Sequence, residues 1–478
     1  INKTMMKTKF TMFLLMWFGV LAASHAQLQV YPAPAGIGLA NDFTVKIRTV
    51  GGEWVAVDTY AFKVDQMTNY RHRAEVSSVA SFDFEGEVEV SVTSKVPVKT
   101  CRVRPLSYNI SHQVEGNTIT FKLDRPRNLS VEVNGDIYHN LQLFANPPDP
   151  NKPKKAKSGR HLIFFGPGIH RLPADSLHIP SGTTVYIAGG AVVRGWLSTY
   201  RNRDIKILGR GIIMPDNNQA GLQVRYSRNV VVDGIITTQM PVGGSDSVRI
   251  SNCKVLSWYG WGDGFNVFAS SHVSYEHIFA RTSDDCSTIY CTRKDYQGSS
   301  RHIRVKDAVY WADVAHPIMI GLHGDIEKNE VVDDVRYEDI DILEQAEAQI
   351  DYQGCIGINN GDNILVRNIT FENIRIESLR QGMILNARVC FNLKYCKAPG
   401  RGIENITLRN ISYNGTKPNM SIIAGYNEDR KVRNVRFENL TINGQLITDD
   451  MAIKPKWYKT ADMANIFIGE HTEGITFQ

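Results

Sequence analysis

The segment WGDGFNV begins at Trp261 and RTSDDCSTIY at Arg281, so Asp263 is followed 21 and 22 residues later by Asp284 and Asp285. Carboxylates gathered in one place cannot all ionise cheaply, and at least one pKa must rise. A protonated carboxylic acid beside ionised partners is what glycosidic hydrolysis requires. The acid protonates the leaving oxygen while a carboxylate activates water. Clustered carboxylates also suit a hard cation such as calcium, and an isolated Asp pair often does no more than shape a turn. The surroundings favour sugar chemistry. Trp258, Tyr259, Trp261, Tyr290, Tyr310 and Trp311 crowd the same stretch, and flat apolar rings suit the C–H faces of pyranose rings. Some of these rings must pack coils; Trp258, Trp261, Tyr290 and Trp311 are the candidates for substrate contact, together with Arg281.

Bringing Asp263 back to Asp284 and Asp285 needs a backbone that repeats with about that period. The chain from Asn229 onward does so. NVVVDGIIT, SVRISNCKV, HVSYEHIFA, HIRVKDAVY, DVRYEDIDI, NITFENIRI, NITLRNISY and NVRFENLTI recur at intervals of 18 to 37 residues. Each has a branched apolar residue at its second position, and most have Asn, Asp or His at the sixth. Strand-like alternation with such a period predicts a right-handed parallel β-helix. Asn and Asp belong at its bends, where they tolerate left-handed backbone. The NIT, NIS and NLT triplets are therefore read as bend asparagines and not as glycosylation sites. One coil advances about 4.8 Å, so Asp263 is expected one rung from the Asp pair. Asp284 and Asp285 would point to opposite faces of a straight strand; both reach one groove only if the chain bends there. Side chains diverging across a groove predict the wide carboxyl separation, about 6.5–9.5 Å, of inverting glycosidases.

Before the repeat, residues 27–146 carry short alternating strands such as FTVKIRTV and NTITFKL, the pattern of an antiparallel β-sandwich. Residues 147–159, which include the basic tract KPKKAK, read as a solvated linker, and 160–478 as the β-helix domain. The fold class expected is all-β, a sandwich followed by a right-handed parallel β-helix. Residues 1–26 have Lys3, Lys7 and Lys9 ahead of an apolar run and end in Ser-His-Ala, the form of a secretory signal peptide. An exported, periplasmic or extracellular protein is expected, with no membrane span. The formal net charge of +5 becomes 5 − 3 = +2 without those three lysines, which gives no reason to expect a nucleic-acid partner. Of seven cysteines, Cys390 and Cys396 are close enough for a local disulfide; the other five read as small core residues, and none has zinc-site spacing.

At the aspartate segments the chain resembles the polygalacturonase-type family 28 of glycoside hydrolases and the related dextranase and isopullulanase family 49. The family 28 pattern runs Asn-Thr-Asp-Gly, Asp-Asp, Gly-His-Gly, Arg-Ile-Lys. Here Asp263-Gly264 matches the end of the first motif, Asp284-Asp285 the second, and GLHGD at 321–325 the third loosely, which makes His323 a substrate-binding candidate; His316 competes with it. No Arg-Ile-Lys follows at the expected place. That pair holds the uronate carboxylate in pectin-degrading members, so its absence weighs against galacturonan. The sandwich ahead of the helix looks more like family 49. The resemblance implies an inverting, cofactor-free and metal-free hydrolase of a polysaccharide or oligosaccharide. Asp284 would be the acid, with Asp263 and Asp285 holding the water. A polysaccharide lyase, using Arg281, Arg293 or Lys294 to neutralise a uronate, and a non-catalytic sugar-binding β-helix are the alternatives. A monomer is expected.

Overall fold

The computed structural model describes residues 27–154, 157, 159–217, 219–257, 260–416 and 418–478. The leader at 1–26 and the candidates Trp258 and Tyr259 lie outside the described residues. Among the described residues, 27 strands from Leu162–Phe165 to Thr472–Phe477 form one continuous coiled sheet, paired parallel from coil to coil save for one antiparallel hairpin near the C-terminus. The second positions of the repeat explain why it stacks. Val230, Val248, Val273, Ile303, Val335, Ile369, Ile406 and Val435 lie in direct register on successive coils. Each is at most 1% exposed. A single coil cannot bury its inner face, so the apolar column must be shared between neighbours.

The bends follow from the polar positions. The first residue of every repeat segment, from Asn229 (φ 55°) to Asn434 (φ 56°), is left-handed, and so is the sixth, from Gly234 to Asn439. Their amides bond from rung to rung: Asn405 donates to Asn368 at 3.1 Å and Asn434 to Asn405 at 3.0 Å, with a parallel ladder through Asn373, Asn410 and Asn439. The sequon-like asparagines of the repeat, Asn368, Asn405, Asn410 and Asn439, are these ladder residues. Of the cysteines read as core, Cys253, Cys286, Cys291 and Cys355 are buried, whereas Cys101 is half-buried at the edge of the sandwich core. Cys390 and Cys396 are buried thiols in mutual contact.

Residues 27–146 form a six-stranded and a five-stranded sheet whose inner faces share one core, including Val45, Val90, Phe121, Phe82, Leu129 and Leu143. The stretch that follows is not free at its start. The Pro147 carbonyl accepts from Arg210, Asp149 accepts from the Tyr186 hydroxyl at 2.6 Å, and Asn151 donates to Asp233. The buried Arg210 guanidinium needs these acceptors, and Pro147–Asn151 supplies one. The reading of a wholly solvated linker is corrected there.

The sandwich is fused to the coils by an apolar seam, Tyr60, Phe62, Val79 and Phe144 against Phe279, Val309 and Trp311 among others, threaded by buried ion pairs. Two candidates for substrate contact belong to this seam. Arg281 is fully buried; it binds Asp313 at 2.9 and 3.1 Å, Asn140 at 2.7 Å and the Ile137 carbonyl at 2.8 Å. Trp311 is equally buried, donates to Asp313 at 2.9 Å and lies under the Arg281 guanidinium, 4.4 Å from it. Their side chains leave the strand on the side facing the sandwich, away from any groove. Truncating Arg281 leaves the buried Asp313 carboxylate without its main counter-charge, which costs about 3–5 kcal/mol. Arg281→Ala should therefore lower the urea midpoint strongly while the folded fraction keeps its ligand affinity. An unchanged midpoint with weakened binding would return Arg281 to the groove.

Candidate active site

The three aspartates are aligned by coil register. Phe265 pairs with Ser287 and Ser287 with Ile318. Two residues upstream of each stand Asp263, Asp285 and His316, one column on three successive rungs. The backbone closes between them: Gly264 N–H donates to the Asp285 carbonyl and Cys286 N–H to the His316 carbonyl, both at 2.8 Å. A Cβ on Gly264 would lie 2.3 Å from the Cys286 carbonyl oxygen, so the residue after Asp263 has to be glycine for the rungs to meet.

Asp284 joins Asp285 on the same side because the strand breaks. Ser271–Thr282 ends before the pair and Ser287–Tyr290 begins after it. The bend between is pinned by Thr282, which donates to the Asp284 carbonyl at 2.6 Å. Ser283 joins it, bonded to Ser257 through its N–H and to Gly262 through its hydroxyl. Oxygens of Asp263, Asp284 and Asp285 all lie within 4.8 Å of one another. That is tighter than the wide separation expected from the sequence, because the bend turns Asp284 toward its neighbours when a straight strand would have pointed it away. The same spacing would let a single cation bridge the three.

Each carboxylate has a distinct environment. Asp285 accepts from His316 Nδ1 at 2.6 Å, from the His316 N–H at 3.2 Å and from the Tyr290 hydroxyl at 3.2 Å. The other His316 nitrogen faces the Tyr352 carbonyl. Both ring nitrogens therefore meet acceptors, which is the hydrogen bonding of an imidazolium. Burial opposes that charge, yet the Asp285 carboxylate raises the His316 pKa on balance. Asp263 accepts from Asn266 at 2.7 Å. Burial, and then the charge of Asp285, push its pKa up to about 7, against the pull of Asn266, Lys294 and Arg293. Among the described residues, Asp284 accepts only from the Asp285 N–H, at 3.0 Å. Burial first, then Asp263 and Asp285, drive its pKa well above the carboxylate range.

The aspartates open into a cleft of about 890 Å³. Trp261, Tyr290 and His323 line it as expected. His323 stands edge-on to Tyr290 at 4.9 Å, and burial lowers its pKa, which favours a neutral imidazole. His316, the competitor of His323 in the sequence, follows Asp285 by 31 residues, one enlarged coil, and joins the site. Arg293 and Lys294 also line the cleft, and their side chains form no hydrogen bond or ion pair with the described residues. Arg225 and Lys394 line it too, but they are engaged by Tyr296 and Asp295 and by Gln349.

Residues 210–458 match the model of glycosyl hydrolases family 28. The chain belongs to this family. The family 28 match takes in every residue named in the cleft, while the sandwich lies outside it. Over 293 residues the chain is 24% identical to a polygalacturonase of Juniperus ashei, a match that covers 59% of this chain and 54% of that relative. The chain thus spans about half the length of that curated relative. Dex49A from Penicillium minioluteum shares the fold across 94% of this chain and 96% of its own, with a TM-score of 0.63 at 13% identity. A family 28 exopolygalacturonase of Yersinia enterocolitica covers 81% of this chain and 96% of its own, with a TM-score of 0.50 at 11% identity.

The raised Asp263 pKa has a consequence for stability. A carboxyl that titrates near 7 in the fold and near 3.8 by itself favours the folded state below the lower value, and that contribution is lost as pH rises through the upper one. Asp263→Asn keeps an acceptor for Asn266 and never ionises. It should raise Tm over the parent at pH 8 and leave it nearly unchanged at pH 4, as read by thermal denaturation across that range. An equal shift at both pH values would count against the electrostatic origin.

Proposed function

We propose that this family 28 protein is an exported, inverting glycoside hydrolase that cleaves an anionic, uronate-bearing polysaccharide. The observation that carries the hydrolase reading is the convergence of three carboxylates whose environments differ. Asp284 has no cationic partner among the described residues and the strongest push toward its protonated form, which suits a general acid. Asp285 is paired with His316, and Asp263 lies within reach of two cations; both suit a carboxylate that holds and deprotonates water. His316 is a positioning residue, acting through Asp285.

The anionic substrate is supported by Arg293 and Lys294. Among the described residues they have no side-chain partner of their own beside the aspartates, and a cleft that keeps such cations next to carboxylates favours a ligand that brings negative charge. They come from the TRK segment after Ser287–Tyr290, a different coil from the one where an Arg-Ile-Lys was sought. The sequence argument against galacturonan loses its weight accordingly. The polygalacturonase relative agrees with this reading. A polymer of this kind is met outside the cell, in keeping with the leader pattern at 1–26.

Inversion does not rest on carboxyl separation, since 4.8 Å between oxygens falls short of the wide class. It rests on number. A retaining site needs one nucleophile; here two carboxylates, Asp263 and Asp285, stand on adjacent rungs facing the acid, and two acceptors can share one water.

Reducing-end release on polygalacturonic acid and on dextran tests the substrate class. Activity on the first and none on the second is expected, and ultraviolet-absorbing unsaturated products would indicate a lyase instead. Asp284→Asn should lower kcat by about 10²–10⁴-fold with little change in binding; near-parental activity would displace Asp284 from its role. Proton NMR of a fresh digest should show a first product of opposite anomeric configuration to the substrate. Retention would sink the water-holding roles of Asp263 and Asp285.

A further inference from the structure

The rim of the cleft is approached by a part of the chain outside the family 28 match. In the sandwich, Tyr60–Thr68 and Arg71–Glu85 pair antiparallel with Thr68 opposite Arg71, leaving the two-residue turn Asn69–Tyr70. Both turn residues are left-handed, at φ 49° and 60°. This is the tight hairpin geometry in which the second position is normally glycine. Here it is a tyrosine, 60% exposed, in a conformation that a side-chain-bearing residue adopts at a cost. Local strain of this kind is found where a function holds it in place.

The hairpin is anchored to the catalytic coil. The Asp65 carboxylate, fully buried, accepts from the Gly260 N–H at 3.3 Å and pairs with His72 Nδ1. The His72 ring stands edge-to-face with Trp261, centroids 4.5 Å apart at 79°, and its Nε2 is buried without a hydrogen-bond partner among the described residues. Trp261 lines the cleft two residues before Asp263 and keeps much of its ring open to solvent. Lys394 is another residue of the cleft wall. Its ammonium donates to Gln349 at 3.0 Å and lies over the Tyr395 ring, 4.8 Å from the centroid. One hairpin therefore braces Trp261 with His72 and carries the exposed Tyr70 two residues from that contact. The other rings in the cleft are occupied: Tyr290 is buried and bonded to Asp285, and Tyr352 and Tyr395 stack on each other at 4.6 Å.

We propose that Trp261 and Tyr70 form an aromatic subsite for a sugar ring distal to the bond that is cut. The sandwich would then be a working part of substrate binding, with Asp65 and His72 as positioning residues for Trp261. The inference rests on the glycosidase reading above. Stacking on an open ring contributes little to the shortest ligands and more to chains long enough to reach it, so the signature is selectivity for length.

The test uses the full chain carrying Asp284→Asn, so that bound oligomers are not cut. Affinities for the dimer and for much longer oligomers, from both the galacturonide and the isomaltose series, are measured by calorimetry. Tyr70→Ala should weaken binding of the long oligomers of one series by about three- to tenfold and leave its dimer unchanged. Tyr70→Phe should restore the affinity, and His72→Ala should reproduce the length-selective loss in the folded fraction, at a lowered urea midpoint because the buried Asp65 loses its partner. In the active protein, Tyr70→Ala should raise KM for long chains at constant kcat. Equal affinity at every length, or an equal loss at every length, would overturn the subsite. Failure of the glycosidase reading shows elsewhere, as absence of turnover by the unmutated protein on every polymer, with the binding ratio still measurable.

Discussion

The catalytic arrangement depends on one constraint, the register of a single rung. Parallel pairing of Phe265–Phe268 with Ser287–Tyr290 and of Ser287–Tyr290 with Ile318–Ile320 stacks Asp263, Asp285 and His316 at the spacing of paired strands. A slip of one residue would send every side chain of a coil to the opposite face. Two features forbid the slip. The apolar column from Val230 to Val435 is buried on every coil, and the left-handed bends of the catalytic coils bond to those of the next, His277 to Asp307 and His302 to Asp334. The site is thus as rigid as the core that carries it, although its residues lie in loops and at strand ends.

Rigidity makes the electrostatics possible. Three carboxyl groups held in so small a space repel one another, and a flexible loop would relieve the repulsion by moving apart. The coils prevent that, and burial first, then the repulsion, displaces protonation: Asp284 is driven far up and Asp263 to about 7, while Asp285 raises the pKa of the buried His316 against its desolvation. Two carboxyls of the same chemical type acquire different tasks through burial and neighbours alone. The cations Arg293 and Lys294 temper the repulsion without pairing with any one carboxylate, which leaves them available to a ligand.

The sandwich is held by an interface that resembles a protein core more than a linker contact. Its apolar seam is reinforced by Arg104, Arg210 and Arg281, each buried and each satisfied by acceptors from both sides. Truncating one partner of such a network leaves an uncompensated buried charge, so hinge motion between the two parts is strongly disfavoured. A hairpin that springs from the sandwich, as Tyr60–Glu85 does, consequently holds a fixed position relative to the aspartates.

The sequence alone determined the repeat, and with it the solenoid, because an apolar column and a polar bend must recur in every coil for the coils to stack. It also determined that Asp263, Asp284 and Asp285 meet, since 22 residues is one coil and Ser283 and Cys286 permit a bend. Only the tertiary structure decided which of the surrounding side chains join them. Arg281 and Trp311 have the composition of a sugar site but leave the strand on the face covered by the sandwich, and a list of residues carries no information about which face a second domain covers. Arg293 and Lys294 are legible in the sequence as cations for a uronate, but only coil closure places them beside the carboxylates. His316 and His323 compete in the sequence, and only the enlarged coil of 31 residues decides that His316 is the one bonded to Asp285. The carboxyl spacing was misjudged for a related reason: a strand predicts where side chains point, whereas a bend between strands is set by the hydrogen bonds of Thr282 and Ser283, which form only when the neighbouring coil is present.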